Sequence, residues 1–151
     1  VGDAQALIRW MRSEARLYRM RKGEEISIGA LSNLMANVLF SQRYYPYIVQ
    51  LVIGGVDKTG SKVFSLDPLG SSIEDKVVST GSGSPYAYGV LEDAYREDMD
   101  VEETVRIGIR AMKAALQRDA MTGNGIDVIR ITKDGAVKLP KEEIDKIIDS
   151  F

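Results

Sequence analysis

From Asp3 to about Met20, the apolar residues Ala6, Leu7, Trp10, Met11, Ala15, Leu17 and Tyr18 recur mostly at three- and four-residue steps, with Arg9, Arg12, Glu14 and Arg16 between them. That period predicts an amphipathic helix with Asp3 as a candidate cap. Gly23 interrupts the charged run that follows, and Ser27 then precedes Ala30, Leu31, Leu34, Met35, Val38 and Leu39, which predicts a second helix ending at Arg43-Tyr44-Tyr45-Pro46. Residues 47–56 form a nearly continuous apolar, β-branched run, the mark of an interior strand covered on both faces. Asp57-Lys58-Thr59-Gly60 is a turn signal, residues 62–66 alternate, and the two runs predict a hairpin. Asp67-Pro68-Leu69-Gly70 turns again ahead of a third strand over about residues 72–79.

Helical periods return from Ser84 or Pro85 to about Tyr95 and over residues 101–117, with Asp100 and Glu103 spaced as a capping box. Residues 126–131 alternate, Lys133-Asp134-Gly135 turns, residues 136–139 return, and Pro140 opens a last helix through Ile148. Two helices, three strands, two helices, two strands and a helix do not make the regular alternation of a doubly wound sheet or barrel. The order predicts an α+β fold, helices covering both faces of a mainly antiparallel double sheet. Five short strands are few for that, and the 47–56 run calls for a neighbour on each side, so further strands are expected upstream. Val1-Gly2-Asp3-Ala4-Gln5 opens the chain without an initiator methionine, which fits either upstream residues or a processed terminus. No repeat, low-complexity tract or linker marks an internal boundary, so one domain is expected over residues 1–151.

Composition narrows the chemistry. The 151 residues contain no histidine and no cysteine, which removes histidine-based proteases, histidine-ligated zinc and cysteine redox or iron–sulfur centres together. Hydroxyl, carboxylate and amine chemistry remain, and no metal or organic cofactor is called for. A net charge of -2 gives no global field for nucleic acid or anionic lipid, and there is no run of about 18 apolar residues to span a bilayer. A cytoplasmic protein is expected, with no nucleic-acid or membrane partner.

Two glycine-rich polar segments stand at helix boundaries. In Thr80-Gly81-Ser82-Gly83-Ser84-Pro85 the glycines relax the backbone between strand and helix, and either amides and the Ser82 hydroxyl face a ligand or Ser82 and Ser84 simply cap the helix. It is neither a Walker loop nor a dinucleotide fingerprint. In Arg118-Asp119-Ala120-Met121-Thr122, Asp119 and Thr122 lie three apart where a helix runs out, so one turn brings carboxylate and hydroxyl together. An aspartate at a helix C-terminus is unfavourable unless compensated, and Arg118 is a candidate for that. Asp127 reads as a solvated strand position and Asp67 as a turn residue.

Taken together, Val1-Gly2-Asp3-Ala4-Gln5, residues 47–55, Ser79-Thr80-Gly81-Ser82-Gly83-Ser84-Pro85 with Tyr88-Gly89-Val90-Leu91-Glu92, and Arg118-Asp119-Ala120-Met121-Thr122 with Gly125-Ile126-Asp127-Val128 resemble the archaeal proteasome beta-type subunits, within the N-terminal nucleophile hydrolase family. The resemblance implies a four-layer αββα sandwich, here incomplete on its N-terminal side, and seven-membered beta rings between alpha-subunit rings. It implies threonine-type endopeptidase activity on unfolded polypeptides, the nucleophile being an N-terminal threonine whose free amine is the base and which a lysine tunes. That threonine, an aspartate and the lysine belong to a stretch of about fifty residues ahead of the Val1 segment in the family, and no residue here takes their roles. The alternative is a non-catalytic structural ring subunit or an inactive fragment. By the same resemblance Ser82 and Asp119 surround the terminal amine, Thr122 stands where the family commonly has serine, Val1 and Gln5 border the primary substrate pocket, and Asp67 reaches toward a neighbour's pocket.

Overall fold

In the computed structural model, which describes residues 2–151, the first two predicted helices form at Gly2–Lys22 (α1) and Ile28–Ser41 (α2). The hairpin follows as Leu51–Asp57 (β1) and Gly60–Leu66 (β2), and Ser72–Asp75 (β3) completes an antiparallel sheet of order β1-β2-β3. These elements belong to one compact unit, Val1–Val78. Its core joins Leu7 and Met11 of α1 to Met35, Ala36 and Leu39 of α2 and to Phe64 and Leu66 of β2, so the apolar stripes read from the sequence are the surfaces that meet.

Polar side chains fix the joints of this unit. The Ser27 hydroxyl accepts from the Ala30 amide as the cap of α2. Asp57, at the end of β1, accepts from the Ile28 amide at 2.9 Å through one oxygen and from the Thr59 amide and hydroxyl at 2.7 and 2.6 Å through the other. One carboxylate thereby ties the hairpin turn to the start of α2. The Thr59 hydroxyl, then the Ile28 and Thr59 amides, hold its pKa below the ordinary aspartate value.

Two details differ from the sequence expectation. The 47–56 run is not an interior strand: β1 is at an edge of its sheet, pairing among the described residues with β2 alone, and β2 is the central strand. Residues 47–50 lie off the ladder, where β2 has ended opposite Leu51; the Ile48 amide donates instead to Asp3 Oδ2 at 3.1 Å, with the Ile48 side chain exposed and Val49 buried. Within β1, Val52 and Gly54 face outward, so a single covered face accounts for the strand. The third strand ends at Asp75 rather than Ser79.

Ser32 is the one buried polar residue among those described, and its hydroxyl shares a 2.7 Å hydrogen bond with that of Ser72 on β3. Ser32→Ala strands the Ser72 hydroxyl, and an expected loss of about 1 kcal/mol should appear in urea unfolding. Ser32→Ala with Ser72→Ala removes both partners, so the double variant should be no less stable than the single one; additive losses would show that the pair is not coupled.

The second unit, Ser79–Phe151, holds Ser84–Ala94 (α3), Val101–Arg118 (α4), the antiparallel pair Ile129–Thr132 (β4) and Gly135–Lys138 (β5), and Lys141–Ile148 (α5). The Asp100–Glu103 capping box forms at the start of α4: Asp100 Oδ1 accepts from the Glu103 amide at 2.8 Å and Glu103 Oε2 from the Asp100 amide at 3.2 Å. Val105 and Ile109 of α4 join Leu139 and Ile144 in a core flanked by Ile126 and Val128. The latter two lie ahead of β4, which begins three residues later than its alternating pattern, and Asp127 between them is an exposed ion partner of Lys138 at 2.9 Å.

The two units meet in sequence between Val78 and Ser79, just ahead of the Thr80-Gly81 turn, with no linker composition to mark the place. Among the described residues, no helix is long and apolar enough to cross a membrane.

Candidate functional site

The second unit brings three predicted residues together. The Ser82 hydroxyl donates to Asp119 Oδ2 at 2.6 Å, and the Thr122 hydroxyl donates to the same oxygen at 2.5 Å. The Met121 amide donates to Asp119 Oδ1 at 3.3 Å. A carboxylate receiving donors on both oxygens stays ionised more readily, and its pKa is held below the ordinary aspartate value, first by the Ser82 hydroxyl and then by that of Thr122.

Local structure explains the convergence. α4 runs out at Arg118, and Asp119 caps it, its amide donating to the Ala115 carbonyl at 2.8 Å. The Thr122 amide then donates to the Asp119 carbonyl at 3.2 Å, closing a tight bend that folds the Thr122 hydroxyl back over the carboxylate. On the other side Gly81 takes φ +93°, a conformation open chiefly to glycine, and turns the chain so that Ser82 faces α4 before α3 begins. Ser82 does not cap α3: Gly83 occupies that position and no side chain caps it. The capping explanation of this segment therefore gives way to a hydroxyl committed to Asp119.

Electrostatically, Asp119 sits at the negative end of α4, which disfavours its charge. Compensation comes from the hydroxyl and amide donors, and from the start of α3, whose Gly83 lies against the carboxylate. Arg118, the candidate compensator, makes no ion pair with Asp119 among the described residues.

The donor inventory decides what the cluster can hold. Each hydroxyl has one hydrogen, and both are spent on Asp119 Oδ2, so the lone pairs of Ser82 Oγ and Thr122 Oγ1 remain as acceptors beside an anionic carboxylate. Ser82 is exposed, and Asp119 and Thr122 are half-buried. Such a surface suits an N–H-rich, cationic or polarisable guest such as an amine, or a water relaying its proton. Among the described residues no group of three or more acidic side chains is placed to hold a metal ion.

The remaining predicted positions fall elsewhere. Val1 lies outside the described residues. Gln5 is exposed on α1, and Asp67 organises the turn after β2, its Oδ1 accepting from the Leu69 and Ser71 amides at 2.8 and 3.0 Å. Both belong to the first unit. The sequence reading missed Gly83 as an individual: it treated the two glycines of Gly81-Ser82-Gly83 alike, and only the packing of α3 on α4 separates them.

The family described as "Proteasome subunit" matches residues 1–131. The chain is 53% identical over its whole length to the proteasome subunit beta of Ferroglobus placidus, covering 72% of that protein. It is 54% identical to that of Methanothermobacter thermautotrophicus, again over the whole chain and 72% of the relative. With the Methanosarcina barkeri subunit it shares 53% identity over 97% of the chain and 70% of the relative.

Proposed function

This chain belongs to the proteasome subunit family, in its beta branch, and from that premise we propose that it serves as a threonine-type peptidase subunit of a cytoplasmic proteasome core, cleaving unfolded polypeptides. The observation that carries the reading is the acceptor cluster itself, two hydroxyls and one ionised carboxylate oxygen with their hydrogens turned inward. In this proposal the cluster holds the α-amine of an N-terminal threonine carried on a segment outside these 151 residues. The subunit works in seven-membered beta rings flanked by alpha rings, in the four-layer sandwich implied by the family. Val1 and Gln5 border the primary substrate pocket, and Asp67 extends toward the pocket of a neighbouring subunit.

The chemistry needs no histidine. An α-amine titrates near 7.7–8.0 and can accept a hydroxyl proton at neutral pH. The threonine oxygen attacks the peptide carbonyl, the amine takes the hydroxyl proton and returns it to the departing amine as the C–N bond breaks, and water then hydrolyses the ester. Ser82 and Thr122 would accept from the amine and fix its lone pair toward the threonine hydroxyl. Asp119 would hold both hydroxyls in that orientation and stabilise the ammonium form between transfers. These are supporting roles, and the covalent step belongs to the threonine.

The test is intact mass measurement of the assembled complex after exposure to an electrophile directed at N-terminal threonine, alongside hydrolysis of an unfolded polypeptide. Hydrolysis that stops when one adduct forms on the subunit carrying this sequence is the expected result. A fully assembled ring with no adduct and no hydrolysis would overturn the peptidase reading in favour of a structural beta subunit.

A further inference from the structure

The two glycines around Ser82 do different work. Gly81 has φ +93° and nothing within 4 Å of where a Cβ would stand, so its requirement is one of backbone conformation. Gly83 is the reverse: its φ of -80° and ψ of -4° suit any residue, and its requirement is space. A Cβ there would stand 2.6 Å from Thr122 Oγ1, 3.0 Å from the Ala115 Cβ and 3.4 Å from Asp119 Oδ2. Gly83 is buried, and so are Ala87 one turn along α3 and Ala111 and Ala115 on α4, so the helices approach through small residues at this end.

We propose that Gly83 is the positioning residue of the cluster, the missing side chain being what lets the Ser82 and Thr122 hydroxyls reach the same oxygen of Asp119. Any Cβ at 83 would stand closer to the Thr122 hydroxyl oxygen than van der Waals contact allows and is backed by Ala115, so it cannot move away from α4 without carrying Ser82 with it. Either Thr122 swings off the carboxylate or the start of α3 lifts and takes the Ser82 hydroxyl out of reach. Both outcomes leave Asp119 with one hydroxyl donor instead of two. Gly83 touches neither guest nor substrate in this account; it acts through the three residues that do, and the inference rests on the functional reading given above.

The experiment places Gly83→Ala in the complete subunit within its assembled complex and reads two quantities. The first is the Asp119 carboxylate titration, followed by carbon NMR with Asp119→Asn to assign it. The second is peptide hydrolysis. The titration is expected to move up toward an ordinary aspartate, and hydrolysis to fall about a hundredfold at nearly unchanged KM, the scale of a small misplacement of catalytic groups. Thr122→Ala removes the atom that a Cβ at 83 would strike, so adding Gly83→Ala in the Thr122→Ala background should cost far less than the hundredfold it costs alone.

An unchanged Asp119 titration in folded Gly83→Ala overturns the positioning role whatever the activity does. A moved titration with unchanged hydrolysis upholds the positioning role and sinks the catalytic role assigned to the cluster. Should Gly83→Ala not fold, the double variant must fold and show the same Asp119 titration as Thr122→Ala alone, because Ser82 then still reaches the carboxylate; failure of both places the fault outside the Thr122 contact and overturns the proposal.

Discussion

Asp119→Asn is expected to lower kcat for peptide hydrolysis by about a hundredfold to a thousandfold, the range for losing one preorganised polar group at a reacting centre, with KM little changed. The side chains have the same shape, so the amide oxygen can still receive the Ser82 and Thr122 hydroxyls. Two things change: the negative charge that would stand beside the proposed amine disappears, and the oxygen that accepts from the Met121 amide becomes an NH2 group facing another donor. Steady-state kinetics on the assembled complex would check the split, and a fall in kcat/KM carried entirely by KM would remove Asp119 from the proton-handling step.

The same substitution has a stability signature. Asp119's carboxylate titrates lower in the folded chain than an ordinary aspartate does, so the folded state binds its proton more weakly than the unfolded state. Its contribution is therefore full above the unfolded-state value and lost as pH falls through the folded-state value. Asp119→Asn should flatten the stability profile in that acidic window and leave its slope unchanged near neutrality, which thermal unfolding at a series of pH values would reveal.

Gly70→Ala is expected to be the most damaging single methyl addition in the first unit. Gly70 has φ +90°, and a Cβ there would lie 2.6 Å from the Ala36 carbonyl oxygen and 2.7 Å from both the amide nitrogen and Cβ of Phe40. Two of those three atoms are helix backbone and cannot swing aside. Backbone strain at positive φ and overpacking add, giving a loss of about 2–5 kcal/mol. Gly54→Ala is the control: its Cβ would meet Val63 no closer than 3.7 Å, an ordinary contact. Denaturant unfolding that ranks the two equally would contradict the docking of the β2–β3 turn on α2. Because Asp67 organises that turn, Gly70→Ala should also displace its carboxylate.

The elements that were legible in the sequence are those whose period is set by one buried face. α1, α2 and α4 each bury a stripe of residues that recurs at helical spacing, and the Asp100–Glu103 box marks its helix start by side-chain chemistry alone. The 47–56 run misled because apolar content reports burial propensity and not ladder position: Ile48 is exposed, and its amide is taken by Asp3, 45 residues away in sequence. Such a long-range side-chain bond leaves no local pattern. β4 began late for a related reason, since Ile126 and Val128 alternate as a strand does while packing on the α4–α5 core.

At the site, the three-residue step from Asp119 to Thr122 announced their contact, as a helix end would. Ser82, 37 residues away, was linked to them only through the family resemblance. Gly83 was hidden because a glycine's spelling is the same whether it is needed for φ or for room.

The make-up of the acceptor cluster has a consequence for reading rates. Its members are two alcohols, which do not ionise in water at ordinary pH, and a carboxylate that has already surrendered its proton well into acid. No imidazole or thiol exists anywhere in the chain to titrate between about pH 5 and 8. These three side chains are therefore silent across the neutral range, and an inflection in kcat there would report groups other than the cluster.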